Sequence, residues 1–257
     1  MKIKNTVRIL ICAILVLTCL SGCSKAETVS YSDYLTLTAT YPHSTEAFTQ
    51  GLFFHNGEMF ESVGGYGKSA LFKSIVLKNG GHREEFRFDS GIFAEGSAVF
   101  EDKLYLLTWK ENKIFVLNPE TLDFIDELSY PREGWGLTTD GRHLIASDGS
   151  SSIYFLDSQL EEVKKLTVTM NGEERNNLNE LEYIDGHIWA NVWLTNEILV
   201  IDADSGKVVE SIDFSGLYNN TSADVDDTMN GIAYNPETQK IYITGKRWNS
   251  LFEFEIK

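Results

Sequence analysis

The chain has 257 residues, 42% of them hydrophobic, and a formal net charge of −16 at pH 7. This apolar content suffices for one sizeable core, and all-β domains often reach this length as a single unit. The acidic balance argues against binding nucleic acid or anionic lipid through charge, because both need clusters of lysine and arginine. The cysteines are Cys12, Cys19 and Cys23. No disulfide, cysteine-ligated metal or thiol nucleophile is therefore expected beyond residue 23.

The N-terminus has the pattern of an export signal. Lys2, Lys4 and Arg8 precede an apolar run over residues 9–20, which is short for a membrane span. Leu20-Ser21-Gly22-Cys23 then resembles a lipobox, in which the cysteine is acylated; an ordinary signal peptide with a chance cysteine is the alternative. We expect residues 1–22 to be a lipoprotein signal peptide, residues 23–32 a tether lipidated at Cys23, and residues 33–257 an exported domain anchored to the cell envelope.

From residue 34 onward, apolar and polar residues alternate with the period of two that indicates β-strands. No window has the period of a long amphipathic helix. Five segments share one order: a polar or aromatic residue, usually a glycine, an apolar strand, a turn and a second strand. These segments lie 40 to 50 residues apart and start at Gln50-Gly51, Glu95-Gly96, Trp135-Gly136, Glu180-Leu181 and Asn230-Gly231.

A period of this length, with several strands in each unit, is typical of β-propeller blades. The sequence therefore predicts an all-β chain folded as a five-bladed β-propeller. One β-sandwich with irregular hairpins is the alternative, but it does not explain five matching starts. Residues 34–41 are expected to close the ring by pairing with strands of the last repeat.

The repeat also predicts which side chains meet, because equivalent positions of a closed ring face the same end. The positions after each second strand are Tyr66, Trp109, Asp148, Trp193 and Lys246. Together with the repeat starts, they predict a polar and aromatic channel mouth made of Gln50, Glu95, Trp109, Trp135, Asn179 or its neighbour Glu180, Trp193 and Lys246. Propellers place ligand sites at such mouths. Taken singly, each tryptophan could instead fill the wedge between blades, and Lys246 could simply pair with Glu95.

Other signals of chemistry are weak. The five histidines are scattered, so a zinc site made of histidine is not expected. The run Asp224-Val225-Asp226-Asp227 could hold a cation, but it lacks the spacing of an EF-hand, and we interpret it as a solvated loop. The chain contains no nucleophile elbow, zinc-protease helix motif or phosphate-binding loop.

Several motifs resemble the glutaminyl-peptide cyclotransferases of plants and bacteria. They include Tyr41-Pro42-His43 and Phe48-Thr49-Gln50-Gly51-Leu52, and they continue through segments 61–69, 107–110, 133–141, 178–183, 191–193, 230–234 and 245–248. The resemblance covers nearly the whole chain from residue 41 and implies a five-bladed propeller, in agreement with the repeat count. It implies a reaction in which the α-amine of an N-terminal glutamine attacks its own side-chain amide, releasing ammonia and leaving a lactam.

By motif position, the resemblance implies Glu95 as the central acid and base, with Asn179 and Lys246 as further catalytic residues. Either of these two or Gln50 could stabilise the oxyanion. A carboxyl near aromatic rings has a raised pKa, whereas a nearby Lys246 would oppose that shift. The resemblance implies a substrate pocket formed by Phe48, Gln50, Phe93, Trp109, Trp135 and Trp193. Ser97 departs from the pattern, since a bulkier apolar residue is expected there.

The implied substrates are peptides or proteins with N-terminal glutamine, and neither a cofactor nor a metal is expected. Nothing indicates an obligate partner, so we expect a monomer that touches the membrane only through its lipid anchor. Two other readings remain. One is a non-catalytic ligand-binding lipoprotein. The other is a calcium-dependent propeller hydrolase of the lactonase kind, with Glu95, Asn179, Asp148 and Asn230 around the ion.

Overall fold

A computed structural model of the chain describes residues 26–73 and 84–257 and shows five β-sheets arranged in a ring. The predicted five-bladed propeller is confirmed. The predicted signal peptide and Cys23 lie outside the described residues. Within the described ranges, no helix is both long enough and apolar enough to cross a membrane.

The elements follow the repeats in chain order. The first three are β1 (Thr28–Ser30), the helix α1 (Tyr31–Tyr34) and β2 (Leu35–Pro42). Blade 1 contains β3 (Thr49–His55), β4 (Glu58–Val63), β5 (Ala70–Lys73) and β6 (Glu84–Arg87). Blade 2 contains β7 (Ala94–Phe100), β8 (Lys103–Thr108), β9 (Lys113–Leu117) and β10 (Phe124–Ser129). Blade 3 contains β11 (Leu137–Thr139), β12 (Leu144–Ser147), β13 (Ser152–Leu156) and β14 (Glu162–Thr167), followed by a hairpin of β15 (Thr169–Met170) and β16 (Glu173–Glu174). Blade 4 contains β17 (Leu178–Ile184), β18 (His187–Val192), β19 (Glu197–Asp202) and β20 (Val208–Asp213). Blade 5 contains β21 (Met229–Asn235), β22 (Lys240–Gly245) and β23 (Ser250–Ile256).

Within each blade, strands that follow one another in the chain pair antiparallel, as expected for strands joined by tight turns. The turn between β3 and β4 has positive φ at both Asn56 (49°) and Gly57 (75°), and Asp185 and Gly186 repeat this pattern in blade 4 (46° and 83°). Two-residue hairpins need positive φ at both positions, which asparagine, aspartate and glycine tolerate best. The turns expected at these places are confirmed.

The N-terminal segment closes the ring. β2 pairs antiparallel with β23 and becomes the outer strand of blade 5, which confirms the pairing expected for residues 34–41. β1 adds a parallel strand to the outer edge of blade 4, and Tyr31 stacks on Phe214 with ring centroids 5.4 Å apart. Residues 28–32 of the predicted tether therefore belong to the folded domain, because their backbone and aromatic groups find partners on blade 4.

The core lies between blades. A hydrophobic cluster fills each of the five interfaces between neighbouring blades, so both faces of every sheet are covered. Trp189 and Trp248 belong to the cluster between blades 4 and 5 and are only 2% and 3% exposed. These two tryptophans therefore fill the wedge between blades.

β-Bulges mark four of the five innermost strands at their first residues. The pairing register shifts between Thr49 and Gly51, between Ala94 and Ser97, between Leu178 and Leu181, and between Met229 and Ile232. A bulge breaks the alternation of side chains and re-aims the extra residue. The residues inside these bulges are Gln50, Glu95 with Gly96, Asn179 with Glu180, and Asn230 with Gly231. The repeat starts thus bring polar side chains to one end of the channel.

The glycines of the repeat starts allow neighbouring inner strands to approach closely. A Cβ on Gly96 would lie 2.4 Å from the backbone nitrogen of Leu137, and one on Gly136 would lie 2.1 Å from the carbonyl oxygen of Asn179. Both distances are shorter than any carbon tolerates. The glycine in the repeat is therefore a requirement of the ring, since it lets one blade contact the next near the axis.

Candidate active site

A pocket of about 420 Å³ opens at the end of the channel where the innermost strands begin. Its lining draws residues from all five repeats. The structure brings together the nine predicted catalytic and substrate-binding residues, which are Phe48, Gln50, Phe93, Glu95, Trp109, Trp135, Asn179, Trp193 and Lys246. Chain segments far apart in sequence meet here because the ring places equivalent positions at one mouth.

Glu95 lies in the bulge of β7, where its backbone is fixed from both sides. Ser62 Oγ donates to its carbonyl oxygen at 2.6 Å, and the next amide, of Gly96, donates to the carbonyl of Trp135 at 2.7 Å. The residue is 5% exposed, and within residues 26–73 and 84–257 its carboxyl group accepts no hydrogen bond. The site therefore holds a buried carboxyl whose position is set by the backbone alone.

Burial raises the pKa of Glu95 well above its usual value. The ammonium of Lys246 acts in the opposite direction, while Glu111 and Glu133 reinforce the rise. The sequence left the balance between burial and Lys246 open, and burial prevails. A raised pKa makes the carboxylate a stronger base than an ordinary glutamate, which favours a role in accepting and returning a proton.

Lys246 directly follows β22, and its backbone amide donates to the carbonyl of Thr228 at 2.9 Å. Its side chain is 4% exposed, and Nζ lies 4.8 Å from the centroid of the Phe48 ring. Burial lowers the pKa of Lys246, although the nearby carboxylates of Glu95 and Asp226 oppose this. Its ammonium is therefore held in the pocket with an aromatic ring on one side and acidic groups nearby.

Asn179 lies in the bulge of β17, and Ser147 Oγ fixes its carbonyl oxygen by donating a hydrogen bond of 2.7 Å. The side chain is 2% exposed, and its Oδ1 has no hydrogen-bond partner among the described residues. A buried polar atom without a partner costs about 1–3 kcal/mol. An acceptor kept in this state inside a pocket suits a ligand that brings an N–H donor.

Three tryptophans form an aromatic wall. Trp109 and Trp135 donate their indole N–H groups to the same carboxylate oxygen of Glu133, at 3.1 and 3.3 Å. Trp193 meets Trp135 edge to face, with centroids 5.5 Å apart and planes at 90°. Unlike the two tryptophans of the core, all three are partly exposed. Their rings therefore face the pocket, and filling the wedge between blades does not describe them.

Two glycines set the positions of wall residues. A Cβ on Gly149 would lie 2.7 Å from the Trp135 ring, and one on Gly64 would lie 2.3 Å from the ring of Phe93. Phe93 in turn packs against Trp109, with centroids 5.4 Å apart. The wall is thus backed by main chain without side chains, which leaves its rings little freedom to shift.

The sequence missed part of the lining. Asp224, Asp226 and Arg247 also face the pocket, and Arg247 Nη1 donates to both Asp224, at 3.0 Å, and Asp227. The run Asp224–Asp227 is partly a solvated loop, as interpreted, since Asp224 and Val225 are exposed. It also overhangs the mouth, however. The available signal was the basic pair Lys246-Arg247, opposite in charge to the loop, since the repeat had already placed Lys246 at this mouth.

Two other predicted rim positions do not line the pocket. The carboxylate of Asp148 accepts hydrogen bonds from Ser150 Oγ at 2.5 Å and from the hydroxyl of Tyr154 at 2.8 Å, so it is used locally. The hydroxyl of Tyr66 donates to Glu111 at 3.0 Å, and its ring supports Phe93 from outside. Among the residues that the structure describes, no three of the types His, Cys, Asp and Glu are grouped to hold a metal ion.

The chain is similar to known proteins of one family. A family model described as glutamine cyclotransferase matches residues 10–256. The glutaminyl-peptide cyclotransferase of Arabidopsis thaliana is 36% identical over 226 residues, which cover 85% of this chain and 70% of that protein. The crystal structure of Myxococcus xanthus glutaminyl cyclase superposes with a TM-score of 0.79 at 34% identity, covering 87% of this chain and 96% of that one.

Proposed function

The chain belongs to the glutamine cyclotransferase family, and from this premise we propose that it converts the N-terminal glutamine of peptides and proteins to pyroglutamate. One observation carries the proposal. The buried carboxyl of Glu95 faces the pocket without a hydrogen-bond partner from the described residues, and the unpaired Oδ1 of Asn179 belongs to a residue that lines the same pocket. Buried polar groups left without partners are the groups that a bound substrate would satisfy.

The reaction needs orientation first. The amine and the amide already belong to one residue, so the enzyme must fold a flexible side chain back on itself and hold it there. Holding such a near-attack conformer can lower the barrier by up to about 7–11 kcal/mol. We assign this task to Trp109, Trp135 and Trp193, because their hydrogen-bonded, packed rings form rigid walls for a flat amide and its methylene stem.

The reaction also needs a proton to move. The neutral α-amine attacks the side-chain amide carbon, a C–N bond forms, and the bond to the amide nitrogen breaks as ammonia leaves. In this proposal the Glu95 carboxylate accepts the proton of the attacking amine and delivers it to the departing nitrogen. Its raised pKa makes the carboxylate a stronger base than an ordinary glutamate, which favours the first of these steps.

The remaining polar groups take complementary roles. Oδ1 of Asn179 is an acceptor without a partner, so it suits the N–H of the attacking amine. The ammonium of Lys246 suits the oxygen that gains negative charge when the amide carbon becomes tetrahedral. Gln50 lines the pocket, and its Oε1 accepts a hydrogen bond from Asn230 Nδ2 at 3.4 Å.

A mass assay tests the proposal directly. The folded domain should remove one ammonia from a peptide that begins with glutamine, with or without a chelator. The same peptide with an acetylated α-amine is the matched control and should not react. Binding without mass loss would leave the non-catalytic reading, and activity abolished by the chelator would favour the metal-dependent one.

We also propose that the domain is exported and anchored through a lipid on Cys23, on the basis of the sequence pattern alone. Since β1 begins at Thr28, the spacer after Cys23 would be short and would hold the domain close to the membrane surface. The pocket is complete within one chain, which fits a monomer. Replacing Cys23 by serine should move the protein from the membrane fraction to the soluble fraction; retention in the membrane would contradict the anchor.

A further inference from the structure

Building on the proposed function, we propose that the acidic loop (residues 224–227) at the pocket mouth makes the enzyme prefer a basic residue immediately after the N-terminal glutamine. The reacting glutamine occupies the deep part of the pocket, where Glu95 and Asn179 lie. The rest of the peptide must then leave across the rim. The second residue is the first one to pass the acidic loop.

The acidic loop is fixed in place. Arg247 binds Asp224 and Asp227, and Trp248 Nε1 donates to the carbonyl of Asp227 at 3.3 Å. The backbone of Asp226 is also fixed, because its amide donates to Asp224 Oδ1 at 3.1 Å. Val225 is 76% exposed, so the turn projects into solvent at the mouth. A charge on this loop therefore has a defined position relative to the pocket.

Asp226 is the carboxylate of the loop that a substrate can use. It lines the pocket and is only partly exposed. Within the described ranges its side chain forms no hydrogen bond or ion pair, whereas Asp224 and Asp227 are both committed to Arg247. A lysine or arginine side chain of a substrate at the rim could therefore form an ion pair with the carboxylate of Asp226.

The rest of the rim has the same sign. Glu133 sits behind the indoles of Trp109 and Trp135, and Glu111 lies beside Tyr66. Of the nearby cations, Arg247 is paired within the acidic loop, Lys110 lies on the face of Trp109, 3.8 Å from its centroid, and Lys246 is buried in the pocket near Glu95 and Asp226. Carboxylates thus outweigh free cations around the mouth. Such a rim attracts a cationic peptide and its α-ammonium and repels an acidic one.

An independent observation shows that this mouth receives a ligand. Asn179 Oδ1 is buried, unpartnered and part of the lining. Lys246, 4% exposed, likewise forms no hydrogen bond through Nζ with the described residues. The acidic loop therefore borders a pocket in which buried polar groups of Asn179 and Lys246 have no hydrogen-bond partner among the described residues and could bind a ligand.

The test compares kcat/KM for three dipeptide amides: Gln-Lys, Gln-Ala and Gln-Glu. Amides are used because a free C-terminal carboxylate would interfere at the rim. At low ionic strength Gln-Lys should exceed Gln-Glu by about three- to tenfold, and about 0.5 M salt should reduce this ratio towards one. In the variant Asp226→Asn, which preserves shape and removes the charge, the ratio should fall at least about twofold at low salt.

The matched control is Asp185→Asn. Asp185 lies in a turn at the opposite end of the channel, so this variant loses the same charge far from the mouth and should keep the wild-type ratio. Turnover of Gln-Ala with equal rates for Gln-Lys and Gln-Glu would overturn the inference while leaving the proposed function intact. The same holds for a ratio that Asp226→Asn leaves unchanged, or that both variants change equally. No turnover of any of the three peptides would overturn the proposed function and the inference with it.

Discussion

The pocket and the part of the channel just beyond it use the same residue type in opposite ways. Glu95, near the mouth, and Glu180 and Glu182, further along β17, are all buried carboxyls whose pKa burial raises. Glu180 accepts the backbone amides of Leu52, at 3.3 Å, and Ile232, at 2.8 Å. The carboxyl of Glu95 accepts none from the described residues. Burial and pKa alone therefore do not identify the reactive group; the hydrogen-bond partners separate a structural carboxyl from one that is free for a substrate.

The bulges explain the difference. In β3 and β21 they lie just before Leu52 and Ile232, and the amides of these residues turn towards the channel. The carboxylate of Glu180 accepts hydrogen bonds from both amides and so links blade 4 to blades 1 and 5. Near the mouth, the bulges supply side chains instead, and those of Glu95 and Asn179 find no partner in the protein. The same kind of bulge thus links neighbouring blades through backbone amides in one place and presents unpaired side chains to the pocket in another.

The largest expected effect is on catalysis by Glu95→Gln. This variant keeps the shape of the side chain but cannot shuttle a proton, so kcat should fall about 10²–10⁴-fold. The free energy of unfolding should stay the same or rise, because the carboxyl is buried without a partner. Ammonia release and urea denaturation measure the two quantities. Near-normal turnover would exclude Glu95 as the acid and base.

Glu180→Gln should show the reverse pattern. The glutamine amide can accept from only one of the two backbone amides, and its NH₂ group would face the other. Leaving buried donors unsatisfied should lower the free energy of unfolding by about 2–4 kcal/mol. The protein that remains folded should still cyclise glutamine. A stable variant without activity would instead place Glu180 in the reaction and remove the distinction between the two regions.

The sequence predicted the ring and its mouth because the glycine starts mark where inner strands approach one another. The roles assigned to Glu95, Asn179 and Lys246 came from the family resemblance rather than from the repeat. The repeat left Asn179 and Glu180 as alternatives, because a bulge breaks the period of two from which side-chain direction is inferred. In the structure Asn179 lines the pocket, while Glu180 ties the blades together.

The acidic loop shows a different limit. It lies between β20 and β21, outside the repeating strands, so no period relates it to the mouth. Its position depends on ion pairs between Arg247 and Asp224 and Asp227, which join residues 20 or more apart in sequence. Such pairs cannot be chosen among the chain's many acidic residues without coordinates.

Gly149→Ala tests whether the mouth depends on rigid walls. Gly149 has a φ of +80°, and an added Cβ would lie 2.7 Å from the Trp135 ring. We expect the shifted indole to reduce kcat/KM about tenfold, since small misplacements at the reacting atoms are costly. The backbone strain should also lower stability by about 1–2 kcal/mol. Peptide turnover and urea denaturation provide both readouts.

Gly141→Ala is the matched control. Gly141 has nearly the same φ, +81°, but a Cβ there would meet nothing within 4 Å. It should lose similar stability and keep its kcat/KM. Equal losses of activity in both variants would mean that backbone strain, and not the position of Trp135, limits the reaction.

The last expected effect concerns pH and the inner end of the channel. The pKa of Glu182 is raised to about 8, mainly by burial, although the amide of Tyr234 and Thr138 Oγ1 donate to the carboxylate. A carboxyl with a raised folded pKa stabilises the fold fully below its ordinary pKa of 4.5, and this contribution is lost as pH rises through about 8. The free energy of unfolding should therefore fall between pH 5 and 8, by up to about 1.4 kcal/mol per pH unit from this group.

Glu182→Gln should flatten that slope, as measured by urea denaturation at several pH values. The comparison must be with wild type, because His43 also contributes to the pH dependence. Despite burial, Glu61 raises the pKa of His43 above its usual value of 6.5, so its stabilisation is likewise lost as pH rises above that value. The His43 contribution is common to both proteins and cancels in the difference. An unchanged slope would show that Glu182 stays ionised throughout, held by its two donors, and the inner carboxyls would then differ from Glu95 in protonation as well as in hydrogen bonding.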